Sequence, residues 1–250
     1  MPRDRHLAPV IEHPSPNHDA RPVGAAVDML VLHYTGMTGA AAALARLRDP
    51  ATKVGAHYLV DEDGAILRLV AEERRAWHAG VACWRGRDDV NAVSIGVEIV
   101  NPGHEFGYRP FPEAQIAAVE GLCRDILARH PIPARNVVGH ADVAPARKAD
   151  PGELFPWKRL ARAGIGLWPD STAVRGEMGL SLRAGDHGAP VAEIQRALAE
   201  FGYAVPTTGV FDAATTAVVI AFQRHFRPAR IDGVVDPETA HIVFRLLALA

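Results

Sequence analysis

The 250-residue sequence has few cysteines, no excess of either charge and no long apolar run. Its two cysteines, Cys83 and Cys123, are too few for the disulfide framework of a small secreted scaffold. The sequence contains 27 basic and 29 acidic residues, so it has no excess of positive charge with which to bind nucleic acid or an anionic membrane. No apolar span approaches the ~20 residues that cross a bilayer. Apolar residues still make up 48%, which favours a globular protein with a buried core.

The N-terminal segment contains basic residues but no apolar run that could form the core of a signal peptide. On the sequence as given we expect a cytoplasmic monomer, with a periplasmic or outer-membrane-associated location as the alternative. Residues 1–25 are rich in Pro, His and Asp and show no periodicity. They are therefore predicted to form a surface arm.

Hydrophobic periodicity predicts an α/β part over residues 26–168. Apolar runs of strand length occur at 27–34 and 93–100, and two further runs flank an Asp-Gly pair at 63–64, a strong hairpin signal. Apolar residues recur every three or four positions across 112–130, as in an amphipathic helix. The order strand, helix, hairpin, strand, helix, strand predicts a mixed central sheet flanked by helices.

A second, smaller part follows a stretch of turn-forming residues at 169–179, which we interpret as a linker. Residues 180–250 are predicted to form a small three-helix domain. The sequences TGVFDAAT at 208–215 and DGVVDPET at 232–239 echo one another, and each places an aspartate where it would cap a new helix. No cluster of acids, His or Cys suggests chemistry in this part, so a binding or packing role is expected.

Three polar residues follow predicted strands and could act as metal ligands: His33, His140 and Asp150. A catalytic zinc site needs such N and O ligands and an open position for water. Their spacing is not diagnostic, because His33 and His140 are 107 positions apart and twelve histidines offer many other combinations. Glu98, inside an apolar strand, either faces solvent or is buried near a cation. Lys148 has a bland alternative as an exposed loop lysine.

Four segments resemble a known family, and they read VLHYT at 31–35, AWHAG at 76–80, Asn91 with SIGVE at 94–98, and GHADVAPARKADPG at 139–152. They are similar to the zinc-dependent N-acetylmuramoyl-L-alanine amidases of the type-2 class, in particular the AmiD-type branch, which share their fold with peptidoglycan recognition proteins. The resemblance continues into a C-terminal peptidoglycan-binding-like domain. It implies hydrolysis of the amide bond between N-acetylmuramic acid, or its anhydro form, and L-alanine in peptidoglycan or a muropeptide.

The resemblance also implies roles for single residues. One zinc ion per chain would be held by His33, His140 and Asp150. Glu98 would act as general acid or base, and Lys148 would stabilise the oxyanion. The substrate groove would be lined by Trp77, His78 and Asn91, with a structural role for Trp77 as an equal alternative.

One departure from the family pattern concerns Ala56. Phage-type relatives carry a catalytic tyrosine immediately before the histidine that corresponds to His57, so the acid–base work here is expected to depend on Glu98. His57 is expected to support the sheet rather than to bind metal. Two alternatives stay open, a peptidoglycan receptor without catalysis and a peptidase that cuts another bond, such as a D,L-endopeptidase.

Overall fold

The computed structural model describes residues 9–169 and 181–249, so the predicted linker lies almost entirely outside the described residues. The strands are β1 (Val10–Glu12), β2 (His18–Ala20), β3 (Met29–Tyr34), β4 (Tyr58–Val60), β5 (Ile66–Arg68), β6 (Arg74–Ala76), β7 (Ser94–Ile99) and β8 (Val137–Gly139). The helices are α1 (Ala40–Arg48), α2 (Val90–Val93), α3 (Gly103–Phe106), α4 (Glu113–Arg129), α5 (His140–Val143), α6 (Trp157–Arg162), α7 (Ala189–Phe201), α8 (Ala213–Phe226) and α9 (Pro237–Leu247).

The main sheet has six strands in the order β1-β5-β4-β7-β3-β8, and β2 and β6 form a separate antiparallel pair. Within the main sheet only the hairpin β4–β5 is antiparallel, while the other neighbours run parallel. The predicted mixed sheet is therefore confirmed. The Asp-Gly pair lies in the hairpin turn between β4 and β5, as predicted.

Strand β3 is buried on both faces, and its side chains alternate between two hydrophobic clusters. Leu30 and Leu32 pack in the cluster that contains the apolar stripe of α4. Met29 and Val31 pack in the cluster on the opposite face. Because side chains alternate along a strand, His33 projects from the same face as Met29 and Val31, away from α4.

Helix α4 confirms the helix predicted over 112–130. Its stripe is fully or almost fully buried against the sheet and comprises Ile116, Val119, Leu122, Cys123 and Ile126. Burying one such aliphatic side chain stabilises the fold by roughly 1.5–3 kcal/mol. Helix α4 thus covers one face of the sheet and leaves the other face for the polar residues at the ends of the strands.

The N-terminal segment is more ordered than the sequence predicts. Strand β1 pairs in parallel with β5, and β2 pairs with β6. The buried side chains of Ser15 and Asn17 donate hydrogen bonds to the carbonyl oxygen of Leu47. The prediction of a surface arm is therefore corrected for residues 9–25, which contain two paired strands. The sequence did not indicate these strands, because strands of three residues are too short to show an alternating pattern.

The C-terminal part contains the three predicted helices. The side chains of Asp212 and Asp236 accept hydrogen bonds from the backbone N–H groups of Thr215 and Thr239, so both echoed aspartates cap a helix as predicted. Across residues 9–169 and 181–249, no helix combines the length and apolarity needed to span a membrane. The domain boundaries themselves stay predictions.

The C-terminal helices pack on the α/β part through a shared hydrophobic core. Trp84 is fully buried there, with its ring edge-on to Tyr203 and Phe201 at centroid distances of 5.1 and 5.9 Å. The N–H of Arg85 donates to the carbonyl oxygen of Gly202 at 2.8 Å. A side chain at Gly202 would clash, because its Cβ would lie 2.6 Å from the Trp84 ring.

Candidate active site

The register of the sheet places His33 beside Glu98. Strands β3 and β7 run parallel, and these two residues are direct partners in the ladder. Ser94 and Gly96 lie on the same face of β7 as Glu98, four and two residues earlier. Their small size leaves room above the strand for the ring of His78, because a Cβ on Gly96 would come within 2.4 Å of that ring.

His140 and Asp150 approach His33 from the neighbouring strand. Strand β8 pairs with β3 so that Gly139 lies opposite Leu32, and α5 begins at the next residue, His140. The N–H of Ala141 then donates to the carbonyl oxygen of Asp150 at 2.9 Å. This bond closes the loop after α5, so that the carboxylate of Asp150 lies beside His33 at the end of β3.

The three predicted metal ligands, His33, His140 and Asp150, bring one donor atom each into a single cluster. The Nδ1 atoms of His33 and His140 are 2.9 Å apart, and Oδ2 of Asp150 lies 3.1 and 3.0 Å from them. All three residues are buried. Two imidazole nitrogens and one carboxylate oxygen are a donor set of catalytic zinc sites, in which each ligand lies about 2.0–2.2 Å from the metal. The trio therefore fits a divalent cation.

Hydrogen bonds to the outer nitrogens direct both Nδ1 lone pairs inward. Nε2–H of His140 donates to the carbonyl oxygen of Ala79 at 2.9 Å. Nε2 of His33 lies 3.1 Å from Nδ1 of His78, whose own Nε2 lies 3.0 Å from the Ser94 hydroxyl. Because that hydroxyl donates to the carbonyl oxygen of Val90, His78 donates to Ser94 and accepts from His33.

Electrostatics favour the protonation states that a metal requires. Burial, followed by the charge of His140, lowers the pKa of His33 to about 4. Burial opposes ionisation of Asp150, but charge and hydrogen bonds from His140 and His33 hold the pKa of this carboxyl below its usual range. At neutral pH the site therefore presents a neutral His33 imidazole and a carboxylate.

Glu98 lies at the wall of a cavity of about 620 Å³ that opens onto the trio. The side chain is buried, and its Oε2 accepts no hydrogen bond from the described part of the chain. Burial, followed by the negative charge of Asp150, raises the pKa of Glu98 well above its usual value, while Lys148 opposes this shift. A carboxyl in this environment can hold a proton close to the metal site.

The sequence matches two family models. Residues 23–153, more than half of the chain, match the one described as N-acetylmuramoyl-L-alanine amidase, and residues 187–242 match the one described as putative peptidoglycan binding domain. The chain belongs to the N-acetylmuramoyl-L-alanine amidase family. The predicted family is thereby confirmed.

Individual relatives support the same family assignment, and they are similar to this chain over most of its length. The chain is 41% identical over 233 residues to N-acetylmuramoyl-L-alanine amidase AmiD of Escherichia coli (strain K12). That alignment covers 88% of this chain and 82% of the E. coli protein. The structure of E. coli AmiD with anhydro-N-acetylmuramic acid-L-Ala-D-γ-Glu-L-Lys gives a TM-score of 0.77 at 39% identity, covering 91% and 92% of the two chains. AMPDH3 from Pseudomonas aeruginosa in complex with anhydromuramic pentapeptide gives 0.80 at 39% identity, covering 91% and 94%.

Lys148 of the amidase lines the same cavity as Glu98. It is half-buried and follows Arg147, which also lines the cavity. The Arg147 guanidinium donates to the carbonyl oxygens of Ala79 and Val81, both at 2.7 Å, and so holds the loop that accepts from His140. Sequence reasoning missed Arg147, although it lies within the recognised 139–152 segment.

The three predicted groove residues have different positions in the amidase. His78 lines the cavity and supports His33 from behind. Asn91 and Trp77 do not occur among the described residues that line this cavity. The Asn91 Oδ1 accepts from the N–H groups of His78 and Ala79 at 3.1 and 2.8 Å, so Asn91 positions the loop, and Trp77 is half-buried beside it.

His57 of the amidase lies in the sheet and is not part of the trio. Its Nδ1 accepts from the N–H of Gly96 at 2.9 Å, and its Nε2–H donates to the carbonyl oxygen of Arg74 at 3.1 Å. Burial, opposed by the bond to Arg74, lowers the pKa of His57 to about 3. The neighbouring Ala56 is fully buried. This geometry agrees with the expected supporting role of His57.

Proposed function

We propose that this amidase hydrolyses the bond between N-acetylmuramic acid, or its anhydro form, and L-alanine of a peptidoglycan stem peptide, with one zinc ion held by His33, His140 and Asp150. The observation that carries the proposal is the convergence of three buried donor atoms within 3.1 Å of one another. The substrate class follows from family membership, and the E. coli relative was solved with such a muropeptide.

An amide carbonyl is a poor electrophile and neutral water is a poor nucleophile. When bound at the trio, zinc lowers the pKa of water toward ~7 and polarises a carbonyl oxygen. The residues of the chain must then move protons and orient the substrate. The buried position of all three ligands keeps their geometry constant while the cavity admits the amide.

Glu98 is proposed as the residue that moves the proton. It accepts a proton from the attacking water and delivers it to the departing amine nitrogen of L-alanine, a role that contributes ~10²–10⁴-fold. Two features support this role. The Oε2 atom has no competing donor among the described residues, and burial already raises the pKa of Glu98, so the protonated form is accessible.

Lys148 is proposed to stabilise the negative charge that develops on the carbonyl oxygen during attack. A cation near that oxygen stabilises the transition state more than the ground state. Two features support this role: Lys148 lines the cavity, and its charge acts on both Glu98 and His33.

Digestion of purified muropeptides, in anhydro and ordinary forms, tests the proposal. The purified protein is incubated with each form, with and without a chelator, and the products are identified by mass spectrometry. An amidase releases the intact stem peptide beginning with L-alanine, and zinc restores activity after chelation. Products cut inside the stem peptide would instead assign the site to an endopeptidase. Equal cleavage with chelator present would exclude a metal-dependent reaction.

A further inference from the structure

A buried carboxylate joins the C-terminal helices to the candidate metal site. Asp142 is 2% exposed and accepts three hydrogen bonds. Its Oδ1 accepts from the hydroxyl of Tyr203 at 2.6 Å, and its Oδ2 accepts from Nδ1–H of His225 and from the N–H of Gly139, both at 2.7 Å. Without these donors a buried carboxylate would be strongly destabilising. Two of the three come from the C-terminal part.

Asp142 belongs to the segment that presents two proposed ligands. It lies on α5, which begins at His140, and its bond to Gly139 closes the first turn of that helix. The backbone bond from Ala141 to Asp150 links the same turn to the second ligand. A displacement of Asp142 would therefore be transmitted to His140 and Asp150 through one short, hydrogen-bonded segment.

His225 also supports this segment indirectly, through Trp157. Its ring stacks on Trp157 with centroids 3.8 Å apart and planes inclined by 20°. The Trp157 ring in turn covers Gly139, where an added Cβ would lie 3.3 Å from the ring and 2.7 Å from Pro151. His225, from α8, thus holds the ligand segment directly by its hydrogen bond to Asp142 and indirectly through Trp157.

We infer that Tyr203 and His225 are positioning residues for the metal site, and that they act through Asp142 on the turn that carries His140 and is hydrogen-bonded to Asp150. The C-terminal part is then a fixed support of the ligand geometry. This role is separate from any contact with peptidoglycan. The inference rests on the proposed zinc site, because it concerns residues that hold the ligands in place.

Two conservative variants of the full chain test this inference. Tyr203→Phe removes one oxygen atom, and His225→Phe keeps the aromatic stack but removes the donor to Asp142. The matched control is Tyr58→Phe, which removes a hydroxyl that donates to the carboxylate of Glu72 at 2.7 Å, away from the metal ligands. Zinc affinity is measured by competition with a chelator, and ligand geometry by the visible absorption of the cobalt-substituted protein. Urea unfolding reports stability separately.

We expect zinc binding to weaken about tenfold in each of the two variants, as for other residues that orient ligands, and the cobalt bands to shift. Tyr58→Phe should change neither property. Zinc affinity and cobalt spectra that are the same in all three variants would overturn the inference. A higher KM for peptidoglycan with unchanged zinc affinity would also overturn it and would assign these residues to substrate binding.

Failure of the underlying proposal gives a different result, since the wild-type protein would then bind no zinc at all. If His225→Phe does not fold, Tyr203→Phe decides the matter alone, because the loss of a single hydroxyl leaves the packing of the ring intact.

Discussion

The imidazole rings of His33 and His78 are joined by a 3.1 Å hydrogen bond, and this bond turns the Nδ1 of His33 toward the other two candidate ligands. The orientation continues outward, from His78 to the hydroxyl of Ser94 and from there to the carbonyl oxygen of Val90. One tautomer of His33 is therefore determined by Ser94, a residue on β7 that is not one of the three candidate ligands.

Replacement of Ser94 by alanine should weaken zinc binding about 10–100-fold, because Nε2–H of His78 loses its acceptor and His33 loses its fixed tautomer. Competition with a chromophoric chelator measures the dissociation constant. Ser15→Ala is the matched control, since Ser15 is another buried serine whose hydroxyl donates to a backbone carbonyl, that of Leu47 at 2.5 Å. Unchanged affinity in Ser94→Ala would contradict the assigned hydrogen-bond order.

Glu98→Gln should bind zinc like the wild type but lower kcat by about 10²–10⁴-fold, because an amide cannot take up and return a proton. Turnover of a defined muropeptide and metal content are measured on the same preparation. Glu120→Gln serves as control, because Glu120 is also buried but forms ion pairs with Arg124 on α4 and Arg159 on α6, away from the trio. Near wild-type turnover in Glu98→Gln would remove Glu98 from the mechanism.

Zinc should stabilise the folded protein through the trio. At a free zinc concentration 100 times the dissociation constant, the free energy of unfolding should rise by about 2.7 kcal/mol. Urea denaturation in zinc and in chelator measures this increment. In His140→Ala the increment should disappear, because a donor atom is lost. A persistent increment in that variant would mean that zinc binds elsewhere.

Glu72, on the far side of the sheet from the metal site, should make stability pH-dependent. Burial alone would raise its pKa, but hydrogen bonds from Arg129, His130 and Tyr58 lower it from 4.5 to about 2. A carboxyl whose pKa is lowered by folding contributes stability that is fully present above pH 4.5 and is lost as pH falls through about 2.

Glu72→Gln should therefore lower the free energy of unfolding by about 1–2 kcal/mol at pH 7, after allowance for solvent screening of the partly exposed Arg129. The difference from wild type should shrink between pH 4.5 and about 2. Urea titrations across this range measure it. The exposed pair Glu12–Arg68 provides a control, since Glu12→Gln should cost at most ~1 kcal/mol. A deficit that stays constant with pH would exclude the assigned ionic role of Glu72.

Much of the fold could be predicted, because the spacing of apolar residues in the sequence follows the repeat of its longer strands and helices. Strands β3 and β7, the β4–β5 hairpin and α4 are long or strongly patterned, and all appear where expected. Strands β1 and β2 could not be predicted, because each has three residues, mostly exposed or half-buried. Side-chain hydrogen bonds from Ser15 and Asn17 hold the connection between them, and such bonds leave no periodic trace.

The site was less accessible to sequence reasoning. Spacing could not bring His33 and His140 together, since the pairing of β3 with β8 decides that contact. The family resemblance supplied those residues instead. It did not supply the roles of Ser94 or Asp142, because these depend on contacts with residues 16 and 83 positions away. The monomeric state and the cytoplasmic location stay predictions.

The distances along the chain between the three donors have a consequence for biosynthesis. The last of them is residue 150, and its carboxylate reaches the others only after β8 has docked beside β3. A nascent polypeptide therefore cannot assemble the cation site until residue 150 has been translated. Before that point a growing chain holds at most two of the three donors.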